Sequence, residues 1–438
     1  MRSCVSNGRI VDPSLGIDGP GTLWIEGGVV AGLEAAGRVW GNRPDWAGTD
    51  GSAAAASAHP EVRVTDAAGC WVTPGLIDLH VHFREPGFTY KEDIESGCRA
   101  AARGGFTTVC CMPNTEPVID CPETVRLVAE KEAALGVRVL PVGALTRGQE
   151  GRELADIRGM GAWASEGGGV CALSEDGKSV ASAALMLAGM KEAAALGLPV
   201  FSHAEDPSLP GTALGEVLII ARDILLARES GCRLHICHVS TAAGVELIRR
   251  ARVEGLAVTG EAAPHHFALT GADVPDRAEP EKGIWPGNWK MNPPLRTEAD
   301  RQALLTALKD GTLEAIATDH APHSREEKEA AFGEAANGIV GLETAFAVSY
   351  TTLVEGGLLT PLQLIERMSL GPARILGIRA GSLAPGMPAD LAVLDVESSY
   401  VVRPEEFLSK GRNTPFAGRQ VRGRSRRTLA AGQTIFSR

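Results

Sequence analysis

The sequence predicts an α/β fold: a TIM-type (β/α)8 barrel with a small β-sandwich domain formed by the N- and C-terminal segments. Two observations carry this expectation. From Trp71 to about residue 375, short β-rich apolar runs alternate with Ala- and Leu-rich helical stretches, the order a parallel barrel requires. The flanks hold only short strand-like pieces, too few on either side to close a core alone. The expected division is therefore 1–70 and 379–438 for the two parts of the β-domain and 71–378 for the barrel.

In chain order, the first flank supplies "GTLWIEGGVVAGLE" and "EVRVTDAAG". Between them "GNRPDWAGTDGSAAAASAHP", 41–60, is Gly/Ala/Ser-rich and reads as a loop insertion carrying a solvent-exposed His59. The barrel runs follow: "WVTPGLIDLHVHF", "FTTVCCM", "VRVLPVGAL", "GVCALSED", "LPVFSHAE", "RLHICHVS", "LAVTGEAAPHHF" and "LEAIATDHAPH". Segments such as "PETVRLVAEKEAALG" and "GEVLIIARDILLARES" supply helices between them. The second flank gives "ADLAVLDV" and "RTLAAGQTIF", and the basic "GRQVRGRSRR" alternates like a strand with a solvated face. A doubly wound open sheet is the structural rival, but no GxGxxG follows any of these strands.

Composition narrows the function classes. A formal net charge of −11 argues against nucleic acid as the main partner, because phosphate binding wants a basic patch. No apolar run approaches the roughly 18–20 residues that span a bilayer, and "MRSCVSNGRIVDP" lacks the apolar centre of a signal peptide, so a cytoplasmic protein is expected. The nine cysteines form no CxxC pair and sit mostly in apolar segments, as reduced small hydrophobes.

The chemistry starts at "DLHVHFREPG". Residues i and i+2 of a strand share a face, so Asp78, His80 and His82 point together. An HxH pair alone reads equally well as two hydrogen-bonded core histidines. Four other strands, however, end in Asp176, His203, His238 and Asp319, and the C-terminal strand ends of a barrel converge on one mouth. Such N/O ligands without thiolate fit zinc or a similar divalent ion, and exceed the needs of one tetrahedral ion, so one or two Zn2+ are expected, two being bridged by a carboxylate. His235, three residues before His238, is expected to face away, and His265, His266 and His320 to take core or supporting roles. His323, past its strand end, is expected to reach over the mouth as a substrate contact.

Together "DLHVHFREPG", "MPNTEP", "SEDG", "HAED", "HVST", "KMNPPLR" and "TDHAPH" resemble class I dihydroorotase of the metal-dependent amidohydrolase superfamily, over nearly the whole chain. The resemblance implies reversible ring closure of N-carbamoyl-L-aspartate to L-dihydroorotate, the third step of pyrimidine synthesis. It also implies that His80 and His82 hold one zinc, His203 and His238 the second, and Asp176 the bridge, with Asp319 the metal-bound general acid/base. Arg84 continues the face of His82 toward the substrate carboxylate, which its planar fork suits. Asn114, Asn292 and His323 match further substrate contacts, and the backbone around Asn337 and Gly338 matches the turn against the ring. Structural readings stand beside these: an Arg84 ion pair with Glu85 or Glu92, and turn caps at Asn114 and Asn292. A homo-oligomer and a complex with aspartate transcarbamoylase are the partners such a chain would have.

Three features depart from the family pattern: Glu175 before Asp176, a short "AEDPSLPGTAL" after His203, and Asn337 where a bulkier aromatic is common. Two alternatives remain. An allantoinase or hydantoinase would need a carboxylated lysine on the fourth strand, for which Lys178 is the candidate; a non-catalytic partner of the transcarbamoylase would have lost metal ligands.

Overall fold

A computed structural model describes residues 2–47, 59, 61–132, 136–162, 168–279 and 284–438. Most of the expected loop insertion, 48–58 and 60, lies outside the described residues; His59 beside it is partly exposed, near Glu61. Among the described residues no helix is long and apolar enough to cross a membrane.

Eight parallel strands form the barrel in sequence order: β7 (Leu76–Val81), β8 (Phe106–Cys111), β9 (Arg138–Ala144), β10 (Ala172–Ser174), β11 (Val200–Ser202), β12 (Leu234–Ile236), β13 (Val258–Ala262) and β14 (Ala315–Ile316). A parallel bridge between Val81 and His320, with the His82 amide donating to the His320 carbonyl at 2.8 Å, brings the last strand back to the first. Helices pack outside, and the main core lies between the two layers, where Phe106, Val109, Ile220, Ile248 and Leu304 are buried. The helix read from "GEVLIIARDILLARES" spans Ala213–Ser230, opened by the Thr212 side chain accepting from the Gly215 amide and ended by a left-handed Gly231.

The run "WVTPGLIDLHVHF", read as one strand, divides at Gly75. Its first part is β6 (Cys70–Pro74), which pairs with β15 (Leu391–Val401) and β1 (Arg2–Asp12) of the other sheet, so Trp71–Pro74 stand with the flanks and the barrel begins at Leu76. A side chain at Gly75 would run into Thr107, so the crossing between the two sheets needs glycine.

The flanks join in one continuous nine-stranded sheet. Its strands β1 (Arg2–Asp12), β2 (Ile17–Glu26), β3 (Val29–Ala35), β4 (Arg38–Gly41), β5 (Val62–Asp66), β6, β15 (Leu391–Val401), β16 (Gln420–Ala430) and β17 (Gln433–Ser437) run in the order β17-β16-β15-β6-β1-β2-β3-β4, with β5 on β1. It has its own apolar core, including Ile10, Leu23, Leu33, Val72 and Leu391. The basic "GRQVRGRSRR" lies mostly in β16, where Val421 and Ser425 are buried and Arg422 and Arg426 exposed.

Candidate active site

The strand ends deliver six polar side chains to one buried point at the barrel mouth. The Asp176 carboxylate, just past β10, stands between two histidine pairs. Its Oδ1 lies 3.2 Å from His80 Nε2, 3.4 Å from His203 Nδ1 and 3.7 Å from His238 Nε2, and its Oδ2 lies 3.4 Å from His82 Nε2. Asp319 Oδ1 is 3.2 Å from His82 Nε2 and 3.6 Å from His80 Nε2. The two groupings His80/His82/Asp319 and His80/Asp176/His238 each bring their ligand atoms within the reach of one ion.

Two of the six, His238 and Asp319, have left-handed backbones, with φ of 35° and 49°, and Arg84 shares this conformation at 59°. Non-glycine residues held there carry strain, which the surrounding packing must impose. That turn just beyond β12 carries the His238 ring to the mouth. His235, expected to face away, instead points at Glu261 on β13, with Nε2 3.0 Å from its Oε2.

The donor set fits a cation. Burial would raise the Asp176 carboxyl, but the imidazoles of His80, His203 and His238 hold it well below the usual carboxylate range. Asp319 is likewise kept ionised against burial by His82, His80 and His238. Among the described residues buried His80 Nε2 and Asp176 Oδ1, which face each other, have no hydrogen-bond partner, and polar atoms left so in a core call for a ligand. His82 Nδ1 lies 2.8 Å from Asn114 Oδ1, which fixes the proton on Nδ1 and leaves Nε2 with a bare lone pair. Four imidazoles and two carboxylates suit zinc or a similar divalent ion. A further grouping, His80, Cys237 and Glu261, uses the other nitrogen of His80. Burial pushes the Cys237 thiol up to about 12, so it stays protonated and belongs to the layer beneath.

That layer contains a residue the sequence reading did not single out. Glu261 Oε1 faces His80 Nδ1 at 3.4 Å and accepts from the His238 amide at 3.3 Å, while its other oxygen takes His235. One carboxylate thus steadies a member of each histidine pair. Asp78 works chiefly through backbone, its Oδ1 accepting from the His80 and Thr318 amides at 3.1 and 3.0 Å, with the Thr318 side chain also hydrogen-bonded to it. His320 packs behind the mouth against Glu92, and His266 donates to the Pro293 carbonyl.

On the substrate side Arg84 donates to the Pro322 carbonyl, and its Nη2 lies 3.2 Å from His323 Nε2. Among the described residues no carboxylate pairs with Arg84: Glu85 is engaged with Lys131, and Glu92 with His320, Ser96 and Ser409. His323 Nε2 donates to the Asn337 carbonyl at 2.7 Å, and burial together with Arg84, Lys91 and Lys328 lowers its pKa to about 3, so the ring is neutral. Asn292 Nδ2 donates to Glu205 at 2.9 Å and lies 3.4 Å from His203 Nε2. Asn114 is turned toward His82 and Asp176.

The three departures sort differently. Glu175 anchors to the Thr146 amide and hydroxyl, away from the ligands. In the short loop after His203, Glu205 accepts from the Gly211 amide at 2.7 Å, which sets it beside both His203 and Asn292. Asn337 has an exposed side chain; its carbonyl is what holds His323. Lys178 is exposed, with Nζ donating to the Gln149 carbonyl at 3.0 Å.

Comparison with known proteins agrees with this geometry. The model of the amidohydrolase family matches residues 71–435. A dihydroorotase of Anaeromyxobacter dehalogenans (strain 2CP-1 / ATCC BAA-258) is 46% identical over 450 residues, covering 98% of this chain and 97% of its own. A dihydroorotase of Pelotomaculum thermopropionicum (strain DSM 13744 / JCM 10971 / SI) is 45% identical over 435 residues, covering 94% and 98%. Among solved structures, a D-hydantoinase superposes with a TM-score of 0.83 over 100% of this chain and 95% of that one, at 23% identity, a likeness of fold. The chain belongs to the amidohydrolase family, in the group of the dihydroorotases.

Proposed function

We propose that the chain is a zinc-dependent dihydroorotase that reversibly closes N-carbamoyl-L-aspartate to L-dihydroorotate with loss of water, as a step of pyrimidine synthesis. The observation that carries the choice within the family is at the fourth strand. An aspartate, Asp176, stands between the histidine pairs, while Lys178 is exposed and tied to Gln149. A hydantoinase or allantoinase would have a carboxylated lysine between the metals, and a non-catalytic homologue would have lost ligands.

In this reading His80, His82 and Asp319 would hold one ion and His203 and His238 another, with Asp176 between them. Bound ions supply Lewis acidity toward the ring amide and acidify the attacking water. The residues do the rest. Asp319, kept ionised by the surrounding histidines, takes the proton of the attacking water and delivers it to the departing ring nitrogen, a base turned acid. Arg84, with no carboxylate partner among the described residues, clamps the substrate carboxylate. Asn292 and neutral His323 flank it, and the backbone at Asn337 and Gly338 lies against the ring. Asn114 serves the site by orienting His82.

Metal analysis coupled to a dihydroorotate hydrolysis assay on one preparation tests the reading. The expected outcome is two zinc ions per chain, turnover of dihydroorotate and none of hydantoin or allantoin. Hydantoin turnover with a carboxylated Lys178 would replace it. No turnover, alone or with aspartate transcarbamoylase, would instead indicate a non-catalytic partner protein.

A further inference from the structure

Lys328 is an unusual cation. It lies on the short helix Arg325–Glu329 and is only 2% exposed, yet among the described residues no carboxylate pairs with it. Its neighbours are committed elsewhere, Glu327 to Lys91 and Glu329 to Arg325. Instead Nζ donates to three backbone carbonyls: Lys290 at 3.1 Å, Ala336 at 2.7 Å and Gly338 at 2.7 Å. An ammonium has three donors, and all three are used.

Those carbonyls belong to the two segments that carry the substrate-side groups. Ala336 and Gly338 flank Asn337, whose own carbonyl receives His323 Nε2. Lys290 is two residues before Asn292 and also accepts from the Gly338 amide at 3.0 Å. Gly338 has φ of 128°, and a side chain there would meet Ala321, so the turn runs too close to its neighbours for any residue but glycine. Asn413 completes the frame, donating to the Gly338 and Ala321 carbonyls and accepting from the His323 amide. Burial and the neighbouring Lys290 lower the Lys328 ammonium to about 7, with Glu327 alone opposing them, so its charge is costly and the three carbonyls are what hold it protonated; a neutral side chain would fill the space with less loss. Such a group is retained for what it holds in position.

We infer that Lys328 is a positioning residue for substrate recognition: its buried ammonium clamps the 336–338 turn to the 290–292 segment and so sets His323 and Asn292 around the bound ring. It touches none of the metal ligands, so its effect falls on substrate affinity and leaves the metals in place. Its charge also faces His323 and, with Arg84 and Lys91, keeps that ring neutral. This extends the dihydroorotase reading and rests on it.

The test compares Lys328→Met, Lys328→Gln and Lys328→Arg with the wild-type chain, each zinc-loaded, in kcat, KM for dihydroorotate and bound zinc. Turnover by the wild-type chain first decides the dihydroorotase reading on its own. Lys328→Met should raise KM at least tenfold, with kcat within about threefold and zinc content unchanged. Lys328→Gln, keeping two donors, should fall between, and Lys328→Arg, keeping the charge, should recover part of the loss. A folded, zinc-bound Lys328→Met with wild-type KM would overturn the inference, as would a parallel fall of kcat and bound zinc in all three variants. If the Met variant does not fold, the Gln variant decides by the same split.

Discussion

At the scale of single residues, the six candidate ligands divide into those a sequence displays and those that only backbone geometry delivers. His80 and His82 are legible because a strand repeats every two residues. Alternation does not separate His238 from His235, since both turn inward; the left-handed conformation at His238 does, and no pattern of residue types announced it. Glu261 was invisible for another reason: it is one acidic residue in "LAVTGEAAPHHF", and its meaning lies in strands far away in sequence. Three outcomes follow here. Asp319→Asn should lower kcat by roughly 10²- to 10⁴-fold, the range for loss of a positioned acid/base, with zinc at least partly retained. Wild-type rates in that variant would assign the proton transfer elsewhere. Arg84→Ala should raise KM by roughly 10- to 100-fold with a smaller change in kcat, the loss of a charge-assisted contact. Glu261→Gln should weaken zinc binding by roughly 10- to 100-fold, as for other supporting carboxylates, measured by competition with a chelator. Unchanged affinity would leave Glu261 a mere filler beneath His80.

At the scale of elements, each barrel run was legible from its β-rich composition, because helices separate them so regularly. The joint between the sheets was not. "WVTPGLIDLHVHF" shows one unbroken apolar stretch, and only tertiary contacts assign Trp71–Pro74 to β15 and Leu76–Val81 to β8. Gly75 marks the handover. Its amide donates to the Asp390 carbonyl at 2.9 Å, its carbonyl accepts from Ser369, and Thr107 fills the space a side chain would need. Gly75→Ala should therefore destabilise the fold by about 1–3 kcal/mol through overpacking, read as a lower urea midpoint with unchanged slope. Equal midpoints would mean that β7 and β8 can part at no cost. The short loop after His203 was legible as a departure but not in its effect. Its Gly211 amide turns Glu205 onto His203 and Asn292, linking a metal ligand to the substrate side.

At the scale of the whole molecule, the proposed metal centre is where the ring of strands is tied. His80 and His82 come from the first strand, Asp176, His203 and His238 from the middle of the ring, and Asp319 from the last, next to the bridge that meets Val81. Among the described residues these buried groups face one another with orphaned atoms, an arrangement that suits a cation. Zinc held as proposed would tie strands across the barrel, and because the unfolded chain cannot assemble the six side chains, its binding would add to folding stability. At free zinc about a thousand times the dissociation constant, the increment is about 4 kcal/mol. For a chain of this length it corresponds to a rise of several degrees in Tm. Chelation should therefore lower Tm and abolish dihydroorotate turnover together, and added zinc should restore both over the same concentration range. A chelated protein that loses turnover at an unchanged Tm would show that the barrel closes without its metals, through β14 and the His82–His320 backbone bond alone.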